Sequence, residues 1–299
     1  MSSRRKTNRG RATRSIRSNR TMTYFEAVHR AQRCLEEHQV PDAATDALLL
    51  LQFVSGMSRG EYYLRMHDEM EEADRYMELV LRRARRIPLQ QLTGEQYFMG
   101  LPFLVTEDVL IPRMDTETLV QEALARLSPG QRVLDLCTGS GCILISLLKL
   151  GDGLSGTGTD ASQAALETAR ENARRLGVLE TAEFVCGDLF SGAEGTWDMI
   201  VSNPPYIASG QIPELMEEVR AHEPRMALDG GADGLAFYRR IVPRAQFHLR
   251  EGGWLLVEIG ADQAEDVTSM FVDSKYEEVR TVRDLGGNDR VVMGRKRIV

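Results

Sequence analysis

Asn203, Pro204, Pro205 and Tyr206 form the densest chemical cluster in this 299-residue chain. They follow Trp197-Asp198-Met199-Ile200-Val201-Ser202, an apolar and β-branched run that predicts a buried strand. Two consecutive prolines stop such a strand, because neither has an N–H to donate and both fix φ. What is left at the strand's end is a pair of acceptors, the Asn203 side-chain oxygen and the Pro204 carbonyl, beside the flat ring of Tyr206. That arrangement suits a planar –NH₂ group, since it can take both hydrogens and hold the nitrogen still. Asn203, Pro204 and Tyr206 are therefore the candidate catalytic residues. The same three with Pro205 are the candidate substrate-binding residues.

A second cluster precedes it. Arg132-Val133-Leu134-Asp135-Leu136 predicts a strand that runs into Cys137-Thr138-Gly139-Ser140-Gly141 and then a helix. Small residues let the backbone approach a ligand closely, and amides at a helix start supply donors. Leu144 stands three places after Gly141, so the dinucleotide pattern Gly-x-Gly-x-x-Gly fails, and no Gly-x-x-x-x-Gly-Lys-Ser is present. Asp135 instead puts a carboxylate before the loop, which fits a cationic ligand better than a pyrophosphate. Asp160 ends the next expected strand, nineteen residues past Gly141, where an acid can accept both hydroxyls of a ribose. Asp188-Leu189 ends the third and is placed to hold an adenine edge and face. Asn203 ends the fourth, so all converge on the crevice at the carboxyl ends of the strands. The constellation resembles the S-adenosylmethionine site of class I methyltransferases, with Asp135, Cys137, Thr138, Gly139, Ser140, Gly141, Asp160, Asp188, Leu189 and Asn203 as candidate cofactor-binding residues. No metal site is expected.

These residues need a parallel sheet to position them. Strands are expected at 133–136, 154–159, 182–186, 199–202 and 254–259, with helices between them at 142–150, 163–176, 235–249 and 263–271. Two further strands, 277–282 and 291–295, follow. The second strand, Gly-Leu-Ser-Gly-Thr-Gly-Thr, is weak in propensity and rests on its place between two helices. Ahead of this domain the periodicity is helical. Phe25, Val28, Ala31 and Leu35 mark a first helix, Pro41-Asp42 opens a second, and Ser58-Arg59-Gly60-Glu61 has the form of a capping box. A longer helix carries Met70, Ala73, Met77, Val80, Leu81 and Ala84 on one face. Its arginines Arg82, Arg83, Arg85 and Arg86 are expected to form a solvated basic end that complements the helix dipole. The expected organisation is a basic disordered tail over 1–21, a small all-helical domain over 22–88, a hairpin-like connector over 89–112 and a Rossmann-like α/β domain over 113–299.

The net charge is −7, yet the first twenty residues hold seven Arg and one Lys without an acid, which leaves the rest near −15. A body that acidic is a poor non-specific binder of nucleic acid, so direct DNA binding is not expected. The tail lacks the apolar face of a targeting helix, and Met22 is a candidate natural start. No apolar run approaches the about 20 residues of a membrane span. Cys34, Cys137, Cys142 and Cys186 show no CxxC and no paired Cys/His spacing, which points to a reducing cytoplasm and no disulfide framework.

Taken together, Leu110-Ile-Pro-Arg-Met-Asp-Thr-Glu117, Asp135-Leu-Cys-Thr-Gly-Ser-Gly141, Asn203-Pro-Pro-Tyr206, Glu223-Pro224 and Asp289-Arg290 resemble the release-factor glutamine methyltransferase (HemK/PrmC) family. The likeness extends over about residues 22 to 296. It implies methyl transfer from S-adenosylmethionine to the side-chain amide of the Gln in the Gly-Gly-Gln loop of peptide chain release factors. It also implies a monomeric enzyme whose helical domain helps dock that partner. Met114 stands where the family usually has Pro, Cys137 where Gly is common, and Leu189 where Trp is frequent, which implies weaker adenine stacking. Three other readings share parts of the pattern: a nucleic-acid amino methyltransferase acting on adenine N6 or guanine N2, a ribosomal-protein glutamine methyltransferase, and a non-catalytic cofactor-binding scaffold. A nucleic-acid enzyme normally adds a basic surface or a recognition insert, and salt-dependent binding separates it from the rest.

Overall fold

The computed structural model describes residues 22–298. The expected basic tail lies outside the described residues. The chain divides after Ala84 into two compact units.

The first unit is all helical: α1 (Tyr24–Glu37), α2 (Ala43–Ser55), α3 (Arg59–Arg65) and α4 (Ala73–Ala84). Capping boxes start α1 and α3, at Thr23 with Glu26 and at Ser58 with Glu61, each satisfying two otherwise orphaned amides. The second of these was expected from sequence. Asp42, by contrast, makes no side-chain cap bond to α2. The buried stripe of α1 is Tyr24, Ala27, Ala31 and Leu35, whereas Phe25 is 44% exposed. Of the expected stripe Phe25, Val28, Ala31 and Leu35 the last two are buried, while Tyr24 and Ala27 are buried in place of Phe25 and Val28. The arginine-rich end of α4 also departs from expectation. Arg83 is buried and donates to Asp46 at 2.7 Å, so it is part of the unit's interior and not a solvated charge. Arg86, in the second unit, pairs with Glu218 at 2.5 Å.

The second unit opens with a helical turn α5 (Leu89–Thr93) and the hairpin β1 (Glu95–Phe98) and β2 (Leu101–Leu104). Then follow α6 (Glu117–Leu124), β3 (Arg132–Leu136), α7 (Cys142–Leu150), β4 (Ser155–Asp160), α8 (Gln163–Leu176), β5 (Ala182–Cys186), β6 (Trp197–Ser202), α9 (Glu217–His222), α10 (Tyr238–His248), β7 (Leu249–Glu258), α11 (Ala264–Asp273), β8 (Glu277–Arg283) and β9 (Asp289–Arg295). They build a seven-stranded sheet in the order β5-β4-β3-β6-β7-β9-β8, in which β9 runs antiparallel to its neighbours. This is the mostly parallel Rossmann-like sheet expected, and its order reverses between β3 and β6. Alternate residues feed two cores: Val133, Met199 and Val201 face α6–α8, while Leu134, Ile200 and Val257 face α10 and α11. The weak strand β4 has a steric reason for its composition. A Cβ on Gly156 would lie 2.5 Å from Leu144 Cδ1 and 2.8 Å from the Val133 carbonyl, so only glycine lets α7 pack onto it.

Among the described residues, no helix is long and apolar enough to cross a membrane.

Candidate active site

At the carboxyl ends of β3 and β6 lies a cleft of about 330 Å³. Of the residues singled out in the sequence, Cys137, Thr138, Gly139, Ser140, Asp160, Asp188, Leu189, Asn203 and Pro205 line it. Asp135, Gly141, Pro204 and Tyr206 are not among its lining residues.

The wall built from β3 and β4 is held by short-range contacts. Thr138 N–H donates to the Thr159 carbonyl at 3.0 Å and Gly139 N–H to Asp160 Oδ2 at 2.9 Å. Asp160 Oδ1 accepts from Ser162 N–H at 2.9 Å, which fixes the carboxylate and leaves lone pairs on both oxygens for a ligand. Burial raises its pKa while these amide contacts pull it back down. Cys137 adopts a left-handed backbone at φ 58°, the conformation that explains why glycine would suit this position, and burial pushes its thiol pKa far up. Leu189 is likewise left-handed at φ 54°, with its carbonyl accepting from the Thr159 hydroxyl at 2.8 Å.

Two expected ligand contacts sit differently. Asp135 is sealed beneath the loop, where Oδ2 accepts from the Thr138 hydroxyl at 2.6 Å and the Leu144 amide at 3.3 Å. It shapes the loop from below and does not face a cationic ligand in the cleft. Its other oxygen has no partner, and burial pushes its pKa up to about 7. Asp188 faces the cleft but already accepts from Arg240 at 2.6 Å, so a ligand's amino group would share this carboxylate with a guanidinium.

The opposite wall draws on distant segments. Asn203 Nδ2 donates to the Thr116 hydroxyl at 3.2 Å. Tyr206 turns its hydroxyl to Glu258 at 3.3 Å, and its carbonyl accepts from Gln263 Nε2 at 2.9 Å. Tyr206 also borders a second hollow, together with Glu214, Asp233, Asp262 and Asp266. A Cβ on Gly234, at φ 77°, would run into the Tyr206 carbonyl, so the Asp229-Gly-Gly-Ala-Asp-Gly234 turn clamps this segment because it lacks side chains there.

Glu258 is buried, one of its oxygens has no partner, and burial raises its pKa to about 7, with the neighbouring Thr116 hydroxyl and Arg290 opposing that rise. Glu223 is buried too, accepting from Ile111 N–H at 3.3 Å and Arg113 at 2.6 Å. Arg290 reaches Asp284 at 3.0 Å and Asp115 at 3.4 Å. The motif pieces 110–117, 223–224 and 289–290 therefore meet around the Asn-Pro-Pro-Tyr run. Thr116 was visible in sequence only as a motif member, while Glu258, Gln263 and Arg240 carried no local signal. His222 ends α9 and lies 3.3 Å from the Arg85 carbonyl, outside the cleft lining.

The PrmC N-terminal domain family matches residues 26–94, and the methyltransferase small domain family matches residues 113–232. A protein of Geobacter sulfurreducens described as a release factor glutamine methyltransferase is 44% identical over 264 residues, which cover 87% of this chain and 92% of that one. One of the same description from Caulobacter vibrioides is 40% identical, covering 92% of this chain and 97% of its own. A crystal structure of a methyltransferase from Pyrococcus furiosus superposes with a TM-score of 0.53 at 20% identity, over 73% of this chain and 99% of that one, a likeness of fold. With the motifs, the sheet order and the relatives in agreement, this chain belongs to the release factor glutamine methyltransferase family.

Proposed function

We propose that this protein transfers a methyl group from S-adenosylmethionine to the side-chain amide nitrogen of the Gln in the Gly-Gly-Gln motif of peptide chain release factors. The observation that carries this is the convergence of Asn203 with Asp160 and the 137–140 loop on one cleft at the sheet's switch point. Relatives of that description along nearly the whole chain support it.

The cleft fits the cofactor chemically. Asp160 offers fixed acceptors for ribose hydroxyls, Leu189 an apolar face for adenine, and Asp188 a carboxylate for its amino edge. When bound, S-adenosylmethionine supplies a methyl group activated by a sulfonium. An amide nitrogen is a poor nucleophile because its lone pair is shared with the carbonyl. Asn203 Oδ1 and the Pro204 carbonyl accept its two hydrogens, fix the nitrogen and favour pyramidalisation. Tyr206 and Pro205 confine the side chain. Positioning at about 3–3.5 Å then supplies most of the catalysis. No general base is assigned, because a methylated amide nitrogen sheds its proton readily. The helical unit docks the release factor, and the protein works as a cytoplasmic monomer without direct DNA binding.

The test is transfer of radiolabelled methyl groups to release factor, to its Gln-substituted variant, to ribosomal protein and to DNA. Label on intact release factor alone is expected. Label on DNA, on ribosomal protein or on the Gln-substituted variant would overturn the reading. A protein comprising residues 85–299 should bind cofactor yet lose most transfer to intact release factor, and undiminished kcat/KM would remove the docking role.

A further inference from the structure

One end of the cleft is built by α10 as much as by the loop after β5. Phe237, which precedes α10 with helical backbone angles, and Arg240, three places on, share one helical face. Both line the cleft together with Gly187, Asp188 and Leu189. Arg240 donates to Asp188 Oδ2 at 2.6 Å, while Oδ1 has no hydrogen-bond partner among the described residues. Leu189 is 5% exposed and held within the core, whereas Phe237 is half-buried and packs against that same core. The helix start that carries Phe237 and Arg240 is anchored from below. Tyr238, fully buried, donates to the Glu258 carbonyl at 2.8 Å, and Leu235 N–H donates to Asp233 Oδ1 at 3.1 Å.

Stability does not explain the Asp188–Arg240 pair. Its side chains are 62% and 49% exposed, and ion pairs in that setting contribute little to a fold. What the pair does is divide a carboxylate. An ionised carboxylate accepts at both oxygens, and a guanidinium on one of them fixes its plane and leaves the other for a further donor. An exocyclic amino group is such a donor, and a planar base that covers the pair strengthens both contacts by excluding water. The sheet sets this acceptor beside the one for the sugar. Asp160 stands opposite Cys186 in the β4–β5 pairing, two residues before Asp188, and its carbonyl accepts from Gly187 N–H at 2.9 Å. A base also needs a face. Leu189 leaves little of its surface open, and Phe237 is the only aromatic ring among the described residues that line the cleft.

We propose that the first turn of α10 reads the base of the methyl donor: Phe237 supplies a face for the adenine ring, and Arg240 is a positioning residue that holds Asp188 so that one oxygen serves the exocyclic amino group. This rests on the reading of the cleft as an S-adenosylmethionine site with its base at Asp188-Leu189. The two residues act by different physics. Stacking on an aromatic face tolerates any base, whereas the Arg240–Asp188 pair acts only on a base that carries the amino group.

The experiment is calorimetry of the full chain with S-adenosylhomocysteine, and with adenosine and purine riboside, which differ only in the amino group. The wild type should bind adenosine about 10–100-fold more tightly than purine riboside, the range for a hydrogen bond to a charged group. Arg240→Met should weaken S-adenosylhomocysteine and adenosine by about 5–10-fold and leave purine riboside within about twofold, as for a group that acts through its neighbour. Arg240→Lys should recover part of the loss, since it keeps a donor without the planar fork. In an Asp188→Ala background Arg240→Met should cost less than about twofold. Phe237→Ala should weaken all three ligands alike, by about 5–150-fold, and Phe237→Tyr should keep the wild-type values because the ring remains. Should Phe237→Ala fail to fold, Phe237→Leu, which keeps apolar bulk without the ring, takes its place. Ligand-free thermal unfolding of Arg240→Met should match the wild type, and a lowered midpoint would make the pair a structural contact and overturn its role. Unchanged adenosine affinity in Arg240→Met, or equal losses for adenosine and purine riboside, overturns that role too. Unchanged affinities in Phe237→Ala overturn the aromatic face. Full affinity in Asp188→Ala overturns this inference and leaves the cofactor reading standing, whereas a wild type that does not bind S-adenosylhomocysteine overturns both.

Discussion

The two walls of the cleft are held in place by different means. On the β3–β4 side, the braces are backbone amides and near neighbours: Gly139 to Asp160, Ser162 to Asp160, Thr138 to Asp135. On the β6 side, a run of four residues is held by side chains from far along the chain, Thr116 before it and Glu258 and Gln263 after it. The first wall is braced by partners within one or two neighbouring βα units, through the carboxylates of Asp135 and Asp160, and it carries Cys137 and Leu189 at left-handed positions. The second depends on residues that only the completed fold brings near. Ligand binding is therefore expected to degrade gradually on the first side, and methyl transfer abruptly on the second.

The largest expected effect lies on the second wall. Asn203→Ala should lower kcat by about 10²–10³-fold, as for one preorganised polar contact, while cofactor affinity changes little. Asn203→Asp, which keeps an acceptor but adds a charge, should retain partial activity. Single-turnover transfer beside calorimetry measures both, and near-normal transfer by the alanine variant would erase the contrast between the walls. On the first wall, Asp160→Ala should weaken cofactor binding by about 1.5–3 kcal/mol, the range for a charge-assisted hydrogen bond. Unchanged calorimetric affinity would remove Asp160 from the ribose role.

Gly234→Ala sharpens the comparison without touching the cleft. Its Cβ would collide with the Tyr206 carbonyl at a left-handed backbone position, and such strain costs of order 1–3 kcal/mol. Denaturant unfolding should show that loss, with kcat falling more than cofactor affinity. A stable variant with normal kcat would mean the turn does not hold the Asn-Pro-Pro-Tyr run.

The smallest effect concerns Asp135. Its folded pKa, about 7, stands above the ordinary carboxylate value of 3.8, so between those values the native protein binds more protons than the unfolded chain. Its contribution to stability therefore falls as pH rises through that window and is level above it. Relative to Asp135→Asn, which does not titrate, the wild type should lose about 1 kcal/mol per pH unit between about pH 4.5 and 6.5. Parallel pH profiles in denaturant titrations would show that Asp135 is not held protonated by burial.

The same contrast explains what was legible in the sequence. The order of strands and helices, the glycine-rich loop and the strand-end acids could be read because each depends on neighbours within one βα unit. The helical unit was less legible: α1 buries Tyr24 where Phe25 was expected, since an exposed aromatic and a buried one look alike in a periodicity. Arg83 looked like a solvated charge because its partner, Asp46, lies two helices away. Glu258 was invisible for the same reason. It closes an apolar strand like many acids that only meet solvent, and nothing nearby announces that Tyr206 meets it.

Strand β9 carries a consequence in time. It sits between β7 and β8, with Val291 opposite Glu258, and Arg290 reaches the Ile259 carbonyl and Asp115. Glu258 and the 110–117 segment thus gain their final neighbours only when one of the last stretches of chain threads into the middle of an existing sheet edge. The loop around Asp160 has its own neighbours within residues 135–162, whereas Glu258 gains Val291 and Tyr206 is supported through Glu258 only once β9 is in place. A chain cut short of β9 is therefore expected to keep the first wall's contacts and lose support on the second.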